Sequence, residues 1–220
     1  MSRRARLAFF AVAAAALAVT LGVGLAGLPS FGSQLTSYAR MLNELASPQR
    51  HVTDVVSFPL RLVIDLVPDD GLVLQHLRDN LQTVNELILS QPEEKLTYSC
   101  APGEWTIKEI VGHIIDCERV FAYRALRFAR NDSTELPGFD ENMYAVYADS
   151  NERSTEDLVA EWTAVRLSTV ALFSSFTEEV FLRSGTTNGH RTSVRALAYQ
   201  IAGQALHHLN SIKENYLDKE

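Results

Sequence analysis

Cysteine is scarce in this chain: Cys100 and Cys117 are the two present in 220 residues. They form no Cys-x-x-Cys pair and exclude a disulfide framework, and they suit a reducing compartment. Cys117 falls about three turns inside a predicted helix that Cys100 precedes, a rise of roughly 16 Å, so a bridge between them is not expected. No alternation of apolar and polar residues lasts beyond a few positions, which argues against an extended sheet. Gly185 through Gly189 carries no phosphate-binding pattern and reads as a turn. Ser168, Ser174 and Ser175 have no histidine or acid at an activating spacing, so a serine nucleophile is not expected. Acidic residues are missing from the first forty positions. The net charge of −7 therefore divides into +3 from Arg3, Arg4 and Arg6 and −10 over the rest. An acidic body without a clustered basic face speaks against nucleic acid as a partner.

The chain opens instead on an apolar run. Residues 7–27, LAFFAVAAAALAVTLGVGLAG, carry no charge over twenty-one positions, about the span of a bilayer core at helical rise. Preceded by three arginines, the run reads as a membrane anchor with the remainder of the chain placed outside. Small residues at Gly24 and Ala26 also suit a cleaved signal, and translation from Met41 would remove the run altogether. The sequence leaves the three readings open. Residues 31–60 mix Pro, Gly, Ser and charge and read as a linker, with one short helix around Leu35–Leu45. With 46% hydrophobic residues, the chain has enough apolar material for one well-packed domain over 61–218.

Four helices are predicted there. Leu74, Leu77, Leu81, Val84 and Ile88 alternate spacings of three and four, the mark of one buried stripe. A second helix opens at Thr106, where Thr106 and Glu109 form a capping box and Trp105 can staple onto Ile110. Its stripe of Ile107, Ile110, Ile114, Phe121 and Phe128 runs to about Arg130. A third starts from a Ser154 cap and buries Leu158, Trp162, Val165, Thr169, Leu172 and Phe176. A fourth opens near Thr192 or Ser193 and buries Val194, Leu197, Ile201, Leu209 and Ile212. The fold class is all-α, a four-helix bundle preceded by an N-terminal hydrophobic helix. The connection over 131–153 is long enough for a crossover that lets helices two and three run parallel. Its Phe139, Met143, Tyr144 and Tyr147 read as capping one end of the core.

His208 comes one helical turn after Gln204, so the two share a face that extends the Leu197–Ile201 stripe inward. His113 lies beside the stripe of helix two, with Cys117 one turn on. His113, Gln204 and His208 could together reach one metal ion, leaving positions open for water or substrate. Gln offers only a neutral carbonyl oxygen, a poorer donor than imidazole to a transition metal. His207 is turned about 100° away. Cys117 could ligate as a thiolate but by default is a small buried hydrophobe. Without metal, an inward histidine such as His113 is ordinarily hydrogen-bonded to a backbone carbonyl or a carboxylate, for which Asp116 or Glu109 could serve. Arg119, Arg124, Arg127 and Arg130, mixed with Asp116 and Glu118, read as a solvated face from which Arg124 could approach a ligand.

Several stretches resemble the DinB-like (DinB/YfiT) superfamily. They are Ala101-Pro102-Gly103-Glu104-Trp105-Thr106-Ile107-Lys108-Glu109, the run from Gly112-His113 to Tyr123-Arg124, Leu136-Pro137-Gly138-Phe139-Asp140, Ser193-Val194-Arg195-Ala196-Leu197 and His207-His208-Leu209. The resemblance covers about residues 60–218. It implies an up-down-down-up bundle and a divalent metal, often nickel, zinc or iron, held by three histidines. His113 matches the first ligand and His208 the last, while Gln204 stands where the middle histidine belongs. It further implies transferases, isomerases or hydrolases that use a low-molecular-weight thiol such as bacillithiol or mycothiol as co-substrate, the metal stabilising the thiolate. Two expectations result. One is a metal-dependent transferase or hydrolase acting on a small molecule through an altered His113/Gln204/His208 site. The other is a non-catalytic module, tethered to a membrane through residues 7–27, that has lost its metal. A homodimer joined through a bundle face is compatible with either.

Overall fold

A computed structural model describes residues 62–217; the expected N-terminal hydrophobic helix and linker lie outside the described residues. Among the described residues no helix is long and apolar enough to cross a membrane. The elements are α1 (Val73–Leu89), α2 (Glu93–Leu96), α3 (Ile107–Ala129), α4 (Glu141–Tyr147), a 3-10 turn (Ser150–Glu152), α5 (Thr155–Ser174), α6 (Glu178–Phe181), a hairpin of β1 (Ser184–Thr187) and β2 (His190–Ser193), and α7 (Val194–Ile212), which widens into a π turn over Lys213–Leu217. Starts are set by side-chain caps. Thr106 and Glu109 close the predicted capping box on α3, Ser154 accepts from Asp157 N–H on α5, and Ser193 accepts from Ala196 N–H on α7. The turn between β1 and β2 places Asn188 and Gly189 at φ of 50° and 73°, the two successive positive values that a tight hairpin requires.

Hydrogen bonds between helices give their directions. Lys108 Nζ donates to Arg153 O near the start of α5, and ten residues further along α3 Glu118 meets Arg166, so α3 and α5 run parallel. Tyr216 bonds Trp105 O while Gln204 meets His113, so α7 runs antiparallel to α3. Leu77 O accepts from Arg166 and Asn85 donates to Thr163, so α1 opposes α5. The four long helices therefore run up, down, down, up, and the chain crosses the bundle through residues 130–154.

A polar layer divides the apolar interior. One cluster holds Leu77, Phe121, Phe128, Phe173, Leu197 and Ile201; the other holds Val84, Ile107, Ile114, Leu158, Trp162, Leu209 and Ile212. Between them the fully buried Arg166 binds both carboxylate oxygens of Glu118, with Nε at 2.9 Å from each and Nη2 at 2.8 Å from Oε2. Arg166 Nη1 donates to Leu77 O at 2.8 Å, Trp162 Nε1 to Glu118 at 3.3 Å, and Asn80 Nδ2 to Ala202 O at 3.0 Å. All four long helices contribute to this layer.

The layer corrects the expected stripes. On α5 the interior line passes through Leu158, Trp162, Arg166, Thr169 and Phe173, not through Val165 and Leu172, and Phe176 lies beyond the helix end. On α1, Val73 and Asn80 are buried where Leu74 and Leu81 are only partly so. Glu118 and Arg124 are buried too, at 2% and 8% exposed, so these two leave the expected solvated face, on which Arg119 and Arg130 are exposed and Asp116 and Arg127 half-buried. In the long connection Met143, Tyr144 and Tyr147 are exposed rather than capping the core; Phe139 and Ala145 turn inward.

Two close backbone approaches shape the surroundings of the site. A Cβ on Gly112 would stand 2.2 Å from Ser150 Oγ, so the returning connection lies directly on α3 beside His113. A Cβ on Gly203 would stand 1.9 Å from Val63 O, so the segment leading into α1 rests on α7 beside Gln204.

Two outcomes test this packing. Arg166→Met strands the Glu118 carboxylate and should cost about 3–5 kcal/mol in urea unfolding, whereas Glu118→Leu with Arg166→Met should cost less than either single change. Gly203→Ala, whose methyl meets backbone rather than a flexible side chain, should lower stability by about 1–3 kcal/mol in the same assay.

Candidate metal centre and substrate cavity

The inward face of α3 presents His113, Cys117, Phe121 and Arg124 in steps of four, four and three, and α7 faces it with Gln200, Gln204 and His208. Between them opens a cavity of about 570 Å³. Its rim is built by the long connection and the hairpin. Leu136 N–H donates to Thr186 O at 3.0 Å and Asn188 N–H to Leu136 O at 2.9 Å, which pins Pro137-Gly138-Phe139 over the opening. Asp140 caps α4 by accepting from Asn142 and Met143 N–H, placing Glu141 and Asn142 at the mouth.

His113, Gln204 and His208 are brought together. Gln204 Nε2 lies 3.0 Å from His113 Nε2 and 3.0 Å from His208 Nε2, and the two rings meet edge to face at 4.9 Å. Both imidazoles thus aim the same nitrogen at one point, and the Gln204 amide occupies that point. In this arrangement the NH2 group donates one hydrogen to each ring, which requires both imidazoles neutral with the proton on Nδ1. Burial favours that state. His113 is held below the usual imidazole value chiefly by burial, against which Glu141 acts upward, and His208 is drawn from 6.5 to about 3 by burial and then by His113 and His207.

Neither Asp116 nor Glu109 hydrogen-bonds His113: Glu109 closes the capping box, and Asp116 faces Arg119. Cys117 Sγ lies 3.5 Å from His113 Nε2, but burial pushes its thiol to about 12, so at neutral pH it is a protonated, small buried group. Trp105 covers His113 with ring centroids at 4.8 Å. His207 is exposed at the cavity mouth, as its position on the helix requires.

The donor set tolerates a divalent ion under one condition. Two convergent imidazole nitrogens are present, and rotating the Gln204 amide would exchange its NH2 for its carbonyl oxygen. Among the described residues no group of three or more His, Cys, Asp or Glu side chains could hold a metal, so the third ligand would have to be that amide oxygen or a non-protein group. The spacing of histidine and glutamine in the sequence does not reveal Glu141, Asn142, Gln200 or His190, which also line the cavity. For Glu141 the one signal is Asp140, whose side chain starts a short helix there.

Residues 75–212 match the model of the DinB superfamily, and the chain belongs to that superfamily. A curated protein of Oceanobacillus iheyensis named "Putative metal-dependent hydrolase OB0413" is 28% identical over 143 residues, which span 64% of this chain and 81% of that protein. Among solved structures, YfiT from Bacillus subtilis, described as a probable metal-dependent hydrolase with an unusual four-helix bundle topology, is similar with a TM-score of 0.57. It is 17% identical, and the match covers 73% of this chain and 88% of that one; this likeness bears on the fold.

The buried imidazoles give the metal-free protein a signed pH dependence. Between pH 6.5 and about 3 the unfolded chain binds protons that His208 in the fold refuses, so stability should fall as pH drops through that window. In His208→Asn this part of the decline should disappear from a series of urea titrations, while the carboxylate-driven loss at lower pH remains.

Proposed function

We propose that this protein is a divalent-metal-dependent hydrolase, or a transferase that uses a low-molecular-weight thiol, acting on a small molecule held in the cavity between α3 and α7. The observation that carries this reading is the aim of His113 Nε2 and His208 Nε2 at one point, each 3.0 Å from the same Gln204 atom. His113 and His208 would be the nitrogen ligands and Gln204, with its amide turned over, an oxygen ligand. A bound divalent ion supplies Lewis acidity that makes water or a thiol nucleophilic near neutral pH. Gln is a weak third donor, which favours lower affinity or a harder ion than a three-histidine site selects. Trp105 and the apolar wall of α3 would restrict water on one side, while Glu141 and Asn142 at the mouth would meet the substrate as it enters. The names of relatives support the class of chemistry; the thiol and the identity of the metal belong to this proposal alone.

A second reading rests on the same amide. Because the Gln204 NH2 satisfies both imidazoles without any ion, the site is also complete as a hydrogen-bonded bridge, which suits a non-catalytic binding module that has lost its metal. Metal titration of the full chain separates the two. One equivalent of nickel, zinc or iron bound by the parent and lost in His113→Ala supports the metalloenzyme. No binding in the parent, with binding gained in Gln204→His, supports the module.

A further inference from the structure

Arg124 is a buried cation without an acidic partner. It is 8% exposed, lines the cavity, and makes one hydrogen bond, from Nη2 to Pro137 O at 2.9 Å. Among the described residues no carboxylate lies within ion-pairing distance of it. Phe121 and Phe139 flank it with ring centroids 5.7 and 5.8 Å from the guanidinium carbon, within the range at which a cation is attracted to an aromatic ring. Arg166 is treated differently by the same bundle. That second buried guanidinium is paired with Glu118 and a backbone carbonyl, while most N–H donors of Arg124 are left unused beside an open cavity. Buried charges are ordinarily paired, and burial is the leading influence on Arg124, lowering its pKa. The missing partner is therefore expected to arrive with a ligand.

The geometry points to Arg124 as the anchor for a carboxylate on the small-molecule substrate, gripped by the unused guanidinium edge between Phe121 and Phe139. This rests on the cavity being the substrate site of the proposed function, and it names the substrate class. A guanidinium fork matches a carboxylate with two parallel hydrogen bonds. The flanking rings favour a planar or aromatic body next to that carboxylate. Eleven helical positions separate Arg124 from His113, a rise of about 16 Å, and a long side chain on a helix leans back toward its N-terminus. The reacting group would then sit on the order of 10 Å from the carboxylate.

The test uses the full chain freed of metal with a chelator, so that no anion can bind through an ion at the histidines. Binding of 4-fluorobenzoate and of its neutral isostere 4-fluorobenzamide is read from ligand fluorine NMR. The acid should bind about tenfold more tightly than the amide, and Arg124→Gln should remove that preference while leaving the amide unchanged. Arg124→Lys, which keeps the charge but not the fork, should fall between. His113→Ala should leave the preference intact. Equal affinity for acid and amide in the parent overturns the proposal even if Arg124→Gln fails to fold. A preference that survives Arg124→Gln, or vanishes in His113→Ala, overturns it as well. Failure of the metal titration would remove the metalloenzyme reading without altering this result, and the reverse also holds.

Discussion

The arrangement of this bundle depends on the Glu118–Arg166 ion pair. Arg166 is wholly buried on α5 and Glu118 nearly so on α3, and their contact is completed by Leu77 O from α1 and Trp162 from α5 itself. A pair so desolvated contributes little net stability compared with a well-packed apolar substitute, yet it penalises any rotation or slip that would separate the two charges. Locking Glu118 toward α1 and α5 fixes the rotation of α3. Five residues earlier, His113 is thereby turned toward α7, together with Cys117, Phe121 and Arg124. The parallel course of α3 and α5, unusual between consecutive long helices of a bundle, is held by this pair near its middle and by the Lys108–Arg153 contact near its start.

The cavity is a consequence of that constraint. With α3 and α5 parallel, the chain must return the length of the bundle between them, and the returning segment lies on Gly112 and docks against the hairpin through Leu136. This places a loop rim over the α3–α7 groove, with Phe139 reaching inward and Glu141 at the opening. The interior of the groove is then graded in chemistry. At one end two neutral imidazoles converge on an amide; at the other an aromatic-flanked guanidinium has donors to spare. On the proposed function, a cavity whose two ends differ in this way would select a small molecule by two functional groups at once.

Much of this architecture is legible in the sequence. The three-four spacing locates every long helix, the Thr106–Glu109 and Ser154 caps place two of the starts to the residue, and of Thr192 and Ser193 it is Ser193 that caps α7. The juxtaposition of His113, Gln204 and His208 is readable from helical spacing together with the resemblance to DinB-like proteins. The features that stay hidden share one cause: periodicity assigns polar residues to the surface. Arg166, Glu118 and Asn80 are interior because they find partners across the helices of the bundle, and Arg124 is interior because Phe121 and Phe139 enclose it; no local pattern carries either fact. The apolar spacing on α5 therefore points one position off, through Val165 instead of Arg166. The rim is hidden for a related reason, since the position of residues 131–153 is decided by contacts with a hairpin more than thirty residues away in sequence.

Gln204 is the residue on which the proposed function turns, because the same amide can bridge two imidazoles or complete a ligand set. Anomalous diffraction from crystals of the protein grown with nickel tests this most directly. A metal-dependent enzyme should show a single anomalous peak between His113 Nε2 and His208 Nε2, with the Gln204 carboxamide turned so that its oxygen faces the ion. A nickel-saturated crystal with no peak there, and with the Gln204 amide nitrogen still bridging the two rings, would contradict it.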